Sequence, residues 1–156
     1  MIRPYEKKDS EACMALWAVF DKALLEESEY FFREPMPKQI MERHKKYSQG
    51  RDSMFLVCEK EGEIAGFILG MMRKTPSVAL LRDRTILEIH ALSVLEKYQG
   101  RGIAGELMET ALEFARKQKV QDVESQLWVF NTVTEKLFIK YGFKVQSRKY
   151  RFHIHD

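Results

Sequence analysis

The stretch TILEIHALSVLEKYQGRGIAG, residues 85–105, decides the fold of this chain. Its first ten residues are mostly aliphatic or β-branched, which is typical of a buried strand. Three glycines follow within residues 100–105, and apolar side chains then recur at helical spacing, at Ile103, Leu107, Ala111 and Phe114. The stretch therefore predicts a strand, a glycine-rich turn and a helix in immediate succession.

The flanking sequence predicts a mixed α/β sheet with crossover helices. Asp9 is a good N-cap for a first helix, and a second short helix follows Pro37. Residues 53–59 and 64–72 predict a hairpin that turns at Gly62. The elements predicted downstream of the central helix are a strand at 122–130, a helix at 131–141 and a closing strand at 143–154.

Composition excludes several classes of protein. No linker, repeat or low-complexity tract divides residues 1–156, so a single domain is predicted. Apolar residues make up 45% and charged residues 31% of the chain, which argues against disorder. With 26 basic and 23 acidic side chains the formal net charge is +3, too small an excess to indicate a nucleic-acid partner.

The sequence also predicts a cytoplasmic protein with no membrane segment and no metal site. No apolar run approaches the roughly 18–20 residues of a membrane span, and the first ten residues are too polar for a secretory signal. Cys13 and Cys58 have no partner spacing, which indicates buried thiols in a reducing compartment.

The glycine-rich turn has two interpretations. Gly100, Gly102 and Gly105 match the GxGxxG pattern of dinucleotide-binding proteins, which alone is a weak signal. Residues 95–99 separate these glycines from the strand, and the next predicted strand ends without the acidic residue that would hold a ribose. The context therefore argues against a nicotinamide-dependent dehydrogenase.

The second interpretation is an anion site. The turn places unpaired backbone N–H groups at the positive end of a helix, where a phosphate or pyrophosphate binds readily. Lys97 and Arg101 add positive charge beside it.

Three segments in the right order carry a family resemblance. Residues 99–104 (QGRGIA) resemble the acyl-CoA pyrophosphate loop of the GNAT N-acetyltransferases, [QR]-x-x-G-x-[GA]. Residues 131–143, from an asparagine to Gly-Phe, and the hairpin at 61–67 resemble further segments of that family. The resemblance implies the GNAT fold, an α/β fold whose central mixed, mostly antiparallel sheet has a splayed parallel strand pair and is flanked by helices.

The resemblance implies acetyl-CoA as co-substrate. Its pyrophosphate would lie on the backbone amides of the turn, and its pantetheine arm would pair with main-chain groups of the preceding strand. The cofactor-binding residues implied in this way are Leu92, Ser93, Val94, Gln99, Gly100, Arg101, Gly102, Ile103, Ala104, Asn131 and Phe138. For Asn131 a helix N-cap is an equally natural role, and both can hold at once.

Glu88 and His90 are the candidate catalytic residues. They lie two apart on one strand and so share a face, where an acid and an imidazole are costly unless they are solvated or used. Lining a wet cleft is the alternative role. Glu88 matches the catalytic glutamate of the histone-acetyltransferase branch, so the resemblance implies Glu88 as general base, directly or through water, with His90 as relay or alternative. A backbone N–H near Leu92 would hold the oxyanion.

Tyr141 is the third candidate catalytic residue, as general acid, and its position departs from the family pattern. Phe138 stands where many members have a tyrosine, and Tyr141, three residues further along the helix, faces about 60° away from that position.

Together, these features predict transfer of an acetyl group to a primary amine of a small molecule or peptide. The alternative is an acyl-CoA-binding module of weak or no turnover. Residues 26–35, acidic and aromatic, are the expected acceptor region. A homodimer stays open because the tail after Phe143 is short.

Overall fold

One five-stranded sheet organises the computed structural model of the protein, which describes residues 1–155. The strands lie in chain order: β1 (Ile2–Pro4), β2 (Ser53–Lys60), β3 (Glu63–Lys74), β4 (Thr85–Val94) and β5 (Asp122–Ser125). Neighbouring strands are antiparallel from β1 to β4, and β4 pairs with β5 in parallel. The helices are α1 (Ser10–Leu25), α2 (Pro37–Ser48), α3 (Ile103–Lys117) and α4 (Thr132–Lys140).

The chain divides into two compact units. The first, Met1–Gln126, contains the sheet with α1, α2 and α3, and the second begins at Leu127 and contains α4. Helix α3 connects β4 to β5, as a parallel pair requires. Among the residues described, no helix is long and apolar enough to cross a membrane.

The core of the first unit has two sides because side chains alternate along each strand. On one side, Trp17 of α1 packs against Phe67, with ring centroids 5.0 Å apart, within a buried cluster that also contains Cys13. On the other side lie Cys58 of β2 and Leu107 of α3, both fully buried. The prediction of two buried, unpaired thiols is thus confirmed.

One predicted strand is confirmed only over its first four residues, and another is wrong. The strand expected at 122–130 ends at Ser125, because β4 offers paired residues only up to Ile89. The closing strand expected at 143–154 has no strand structure, and its apolar side chains such as Phe152 are exposed. β-propensity describes fit to a half-buried pleated surface, so it cannot create a strand where no partner edge pairs with it.

The N-cap prediction at Asp9 is right in position but wrong in mechanism. The carboxylate of Asp9 makes no capping bond to α1, which begins at the next residue. It accepts hydrogen bonds from the Arg3 guanidinium and from the backbone N–H of Glu6. These bonds, Arg3 foremost, lower the pKa of Asp9.

Candidate active site

A β-bulge shapes the centre of β4. Leu69 pairs with Ala91 and Gly70 pairs with Ile89, so His90 is an extra residue without a register partner on β3. A Cβ atom on Gly70 would lie 2.1 Å from the carbonyl oxygen of Glu88, so only glycine allows the two backbones to approach this closely. Sequence reasoning missed the bulge, although a glycine within a predicted strand is its usual signal.

A chain of hydrogen bonds joins Glu88 and His90 to two residues that the sequence did not single out. His90 Nε2 lies 2.7 Å from Glu88 Oε1, which confirms that the two side chains share a face. On the far side of the imidazole, the Tyr47 hydroxyl lies 2.7 Å from Nδ1. Arg73 donates to Glu88 Oε2 over 2.7 Å. The site is therefore a four-residue chain from α2 through β4 to β3.

Tyr47 reaches the site from the inner face of α2. Its side chain is 7% exposed and its ring lies 6.2 Å from that of Trp17. Burial raises the pKa of Tyr47, so the hydroxyl keeps its proton at neutral pH. The helical periodicity of α2 indicates a buried position here, but no local signal shows that the hydroxyl would meet an imidazole 43 residues away.

The Glu88 carboxylate is ionised and partly open to solvent, with 29% of its side chain exposed. The hydrogen bond from Arg73 is the main cause that holds the pKa of Glu88 below its ordinary value, and the bond from His90 acts in the same direction. Glu124 is the register partner of Glu88 on β5 and pairs with a different arginine, Arg84, at 2.7 Å, which also pairs with Asp122. Glu88 thus has one guanidinium to itself, whereas Glu124 shares its guanidinium with Asp122.

The glycine-rich turn presents a row of backbone amides. Gly100 and Gly102 have φ angles of 78° and 82°, in the left-handed region that favours glycine, and Gly102 caps α3. Within residues 1–155, the N–H groups from Gly100 to Ala104 have no hydrogen-bond acceptor. The predicted row of amides at residues 99–104 needs one correction, because the N–H of Gln99 donates to the carbonyl of Glu96. The available row begins at Gly100.

Side chains of the turn contact the end of β4 and the β2–β3 hairpin. Gln99 Nε2 donates to the carbonyl of Val94 over 2.9 Å and so closes the end of β4. Lys97 pairs with Glu63 at 2.8 Å, and Arg101 lies 3.4 Å from Glu61. Acidic residues of the β2–β3 hairpin therefore partly neutralise the positive charge predicted beside the turn.

The edge of β4 beyond the bulge is open. Pairing with β5 ends at Ile89 and Ser125, and among residues 1–155 no strand pairs with the remainder of that edge. Because the N–H of Leu95 donates to β3, the alternation of main-chain groups turns those of Leu92 and Val94 away from β3. The Ser93 hydroxyl, by contrast, is buried and donates to the carbonyl of Leu16 over 2.7 Å, so its side chain is part of the core.

Three further predicted residues lie in the second unit. Asn131 Oδ1 accepts from the N–H of Thr134, which confirms Asn131 as the N-cap of α4. Phe138 is buried and stacks on Phe143, with ring centroids 4.7 Å apart. Tyr141 forms the C-cap of the same helix. The coenzyme contacts of Asn131 and Phe138 and the acid role of Tyr141 stay predictions.

An open pocket of about 360 Å³ lies between the end of α1 and the start of α2. Its lining combines apolar and acidic side chains: Ala18, Asp21, Lys22, Leu25, Glu26, Glu34, Pro35 and Ile40. Two aromatic residues of the adjoining loop, Tyr30 and Phe31, are 64% and 42% exposed. The segment expected to meet an acceptor therefore borders a cavity of the size of a small ligand.

Comparisons with known proteins place this chain and its fold among the acetyltransferases. The model of the Acetyltransferase (GNAT) family matches residues 16–143, and the chain belongs to this family. It is 29% identical to mouse N-acetyltransferase 8B over 107 residues, which cover 69% of the chain and 44% of the mouse protein. It is 37% identical to an uncharacterised N-acetyltransferase of Archaeoglobus fulgidus over 87 residues, 54% of each chain. The chain spans about half the length of these relatives, or less.

Solved structures share the fold. The mutant BH1408 protein of Bacillus halodurans superposes with a TM-score of 0.92 at 22% identity, covering 99% of both chains. The aminoglycoside acetyltransferase AAC(6')-Iy, in complex with a bisubstrate analogue of CoA and acetylneamine, has a TM-score of 0.73 at 17% identity, covering all of this chain and 98% of the other. The predicted fold class, a mixed sheet with one parallel strand pair, is confirmed.

Proposed function

We propose that the protein transfers the acetyl group of acetyl-CoA to a primary amine of a small molecule or peptide, with Glu88 as general base. One observation carries the proposal: the open edge of β4 runs from the Glu88–His90 pair to the row of amides that begins at Gly100. Membership of the GNAT family supports the reaction class.

The coenzyme is expected to lie along this edge. Its pyrophosphate takes the amides of residues 100–104, where the N-terminal end of α3 favours negative charge. The pantetheine arm then pairs with the outward main-chain groups of Leu92 and with the N–H of Val94, whose carbonyl already accepts from Gln99, in place of a strand. The seven strand residues from Glu88 to Val94 are separated by six steps, which span about 20 Å, a distance that suits a long and thin arm.

The proposed step is direct transfer. Glu88, directly or through water, takes one proton from the ammonium, and the neutral nitrogen then attacks the thioester carbonyl carbon. As the carbon–sulfur bond breaks, the nitrogen releases its second proton to solvent. The backbone N–H of Leu92 donates to the developing oxyanion, a contribution of about 3–4 kcal/mol for a well-placed donor. The electron pair leaves on the CoA thiolate, which is tolerable without a general acid because thiols have a pKa of about 8.5.

The hydrogen bonds that His90 and Glu88 already make support Glu88 as the proton acceptor in this step. Both ring nitrogens of His90 are already engaged, one with Tyr47 and one with Glu88. Each carboxylate oxygen of Glu88 receives one of its donors, His90 or Arg73, and retains a further lone pair. His90 accordingly acts as a donor that orients the base. The family-implied roles of Asn131 and Phe138 as coenzyme contacts belong to the same proposal.

The acceptor is expected to be cationic. Glu26, Glu27 and Glu29 are charged residues of the segment that borders the pocket at the end of α1, and Tyr30 adds an exposed apolar surface. Carboxylates in such a position attract an ammonium group before it is deprotonated.

A second function, binding of acyl-CoA with little or no turnover, is favoured by two observations. Phe138 is buried against Phe143 and offers no proton at the position where many family members have a tyrosine. Arg73 also makes Glu88 a weaker base by lowering its pKa.

Two measurements separate the candidates. Calorimetry with acetyl-CoA, CoA and NAD should detect the first two ligands and not the third. Thiol release should then rise with at least one member of a panel of polyamines, amino sugars and peptide amines. Flat traces with every amine despite tight CoA binding would favour the binding module, and binding of NAD alone would contradict both functions.

A further inference from the structure

Tyr47 lies on a different element from the rest of the Glu88 site and contacts it through His90. Its hydroxyl lies 2.7 Å from His90 Nδ1, while the rest of its ring packs at 5.6 Å, edge-on, against the imidazole. The Ser53 hydroxyl donates to the carbonyl of Tyr47 over 2.6 Å and so secures the end of α2 against β2. The backbone that carries the Tyr47 side chain is therefore anchored to β2.

The partners on the two sides determine which His90 nitrogen has the proton. The Glu88 carboxylate is ionised and can only accept, so Nε2, at 2.7 Å, must be the donor. In the neutral imidazole Nδ1 is then the acceptor, and the Tyr47 hydroxyl, which keeps its proton because it is buried, donates to it. The donors Tyr47 and His90 thus point toward the Glu88 carboxylate from one side, and Arg73 donates to it from the other.

We infer that Tyr47 is a positioning residue, whose hydroxyl holds Nδ1 of His90 and thereby aims Nε2–H at Glu88 Oε1. The inference rests on the proposed function, because the carboxylate so oriented is the one that would receive the proton of the amine. Without the hydroxyl, the imidazole is free to rotate or to exchange its proton between the two nitrogens, and the carboxylate loses a fixed donor.

The first unit offers a matched control. Tyr5 and His44 form another tyrosine–histidine pair, with the hydroxyl 3.1 Å from Nε2, and it lies outside the Glu88 chain. There the Trp17 indole donates to His44 Nδ1, so Nε2–H of His44 donates to Tyr5. Tyr5→Phe therefore removes a tyrosine–histidine hydrogen bond of the opposite direction, in which the tyrosine accepts, without touching the chain from Tyr47 to Glu88.

Nitrogen NMR of protein labelled at histidine tests the positioning without any assay of activity. We expect His90 to have its proton on Nε2, and Tyr47→Phe to shift the Nδ1 resonance of His90 as it loses its donor. Tyr5→Phe should instead shift the Nε2 resonance of His44. A proton on Nδ1 of His90, or a His90 spectrum that Tyr47→Phe leaves unchanged, would overturn the inference.

Kinetics tests the consequence. Loss of one net hydrogen bond predicts that Tyr47→Phe lowers kcat about five-fold with KM for acetyl-CoA unchanged, while Tyr5→Phe changes neither. His90→Gln keeps an N–H donor for Glu88 but has no Nδ1, so adding Tyr47→Phe to it should cost nothing further. Full additivity of the two changes, or a normal kcat in Tyr47→Phe when Glu88→Gln is impaired, would contradict the inference. If Glu88→Gln is itself fully active, the proposed function fails, and the NMR result alone decides the role of Tyr47.

Discussion

Gly70 and Glu88 approach each other so closely that a single Cβ atom on Gly70 would lie 2.1 Å from the carbonyl oxygen of Glu88. This approach accompanies the bulge that leaves His90 without a partner on β3. The glycine therefore fixes the backbone on which the proposed base and its donor are placed.

Gly70→Ala should destabilise the protein and disturb the site together. Overpacking of this kind costs about 1–3 kcal/mol, measured as the free energy of unfolding in urea. Gly66→Ala is the matched control on the same strand, because its Cβ would lie 2.9 Å from the carbonyl of Ser93 and demands a smaller shift. The larger loss is expected at Gly70, and an equal or smaller loss there would contradict the close approach.

Glu88→Gln should slow thiol release strongly at neutral pH. A positioned general base is worth about 10²–10⁴ in rate, and the loss should be smaller at high pH, where the amine deprotonates without help. Glu124→Gln is the matched control, since Glu124 is the register partner of Glu88 on β5 and pairs with a different arginine. Equal activity of Glu88→Gln and wild type at pH 7 would remove Glu88 from the base role.

Arg73→Gln should move the acid limb of the kcat/KM profile to higher pH. Arg73 is the main cause that lowers the pKa of Glu88, so the pKa rises toward its ordinary value of 4.5 when the guanidinium is removed. The effect on stability has a matching sign. The ion pair contributes above pH 4.5 and is lost as the pH falls through the lowered pKa, so wild type and variant should converge in acid. An acid limb that moves to lower pH would contradict the pairing.

Gly102→Ala should weaken CoA binding, because a side chain at φ 82° strains the turn that aligns the amides. Strain in this region costs of order 1–3 kcal/mol. Gly62→Ala is the control, since Gly62 has a φ of 81° and equally open space at the hairpin turn. Both variants should lose similar stability, but only Gly102→Ala should lose affinity in calorimetry. Equal CoA affinity in the two variants would separate the turn from coenzyme binding.

The sequence predicted the parts of the fold that local patterns encode. The strand–turn–helix at residues 85–105, the hairpin at Gly62 and the N-cap at Asn131 depend on periodicity and on residues with special backbone preferences, and each is confirmed. Spacing alone was also enough to place Glu88 and His90 on one face.

What depends on distant partners could not be predicted. Tyr47 and Arg73 reach Glu88 from two other elements, and nothing near them in sequence reveals the meeting. The strand expected to continue past Ser125 ends where its pairing with β4 ends. These features are decided by tertiary pairing, which overrides local propensity.

The central claim is that one strand edge holds the coenzyme at its glycine-rich end and presents the thioester at Glu88. A crystal structure of the protein soaked with CoA tests it most directly. The account predicts phosphate oxygens about 3 Å from the amides of residues 100–104 and the sulfur at the Glu88 end of the open edge. Amides left vacant at saturating CoA, or a sulfur directed away from Glu88, would contradict it.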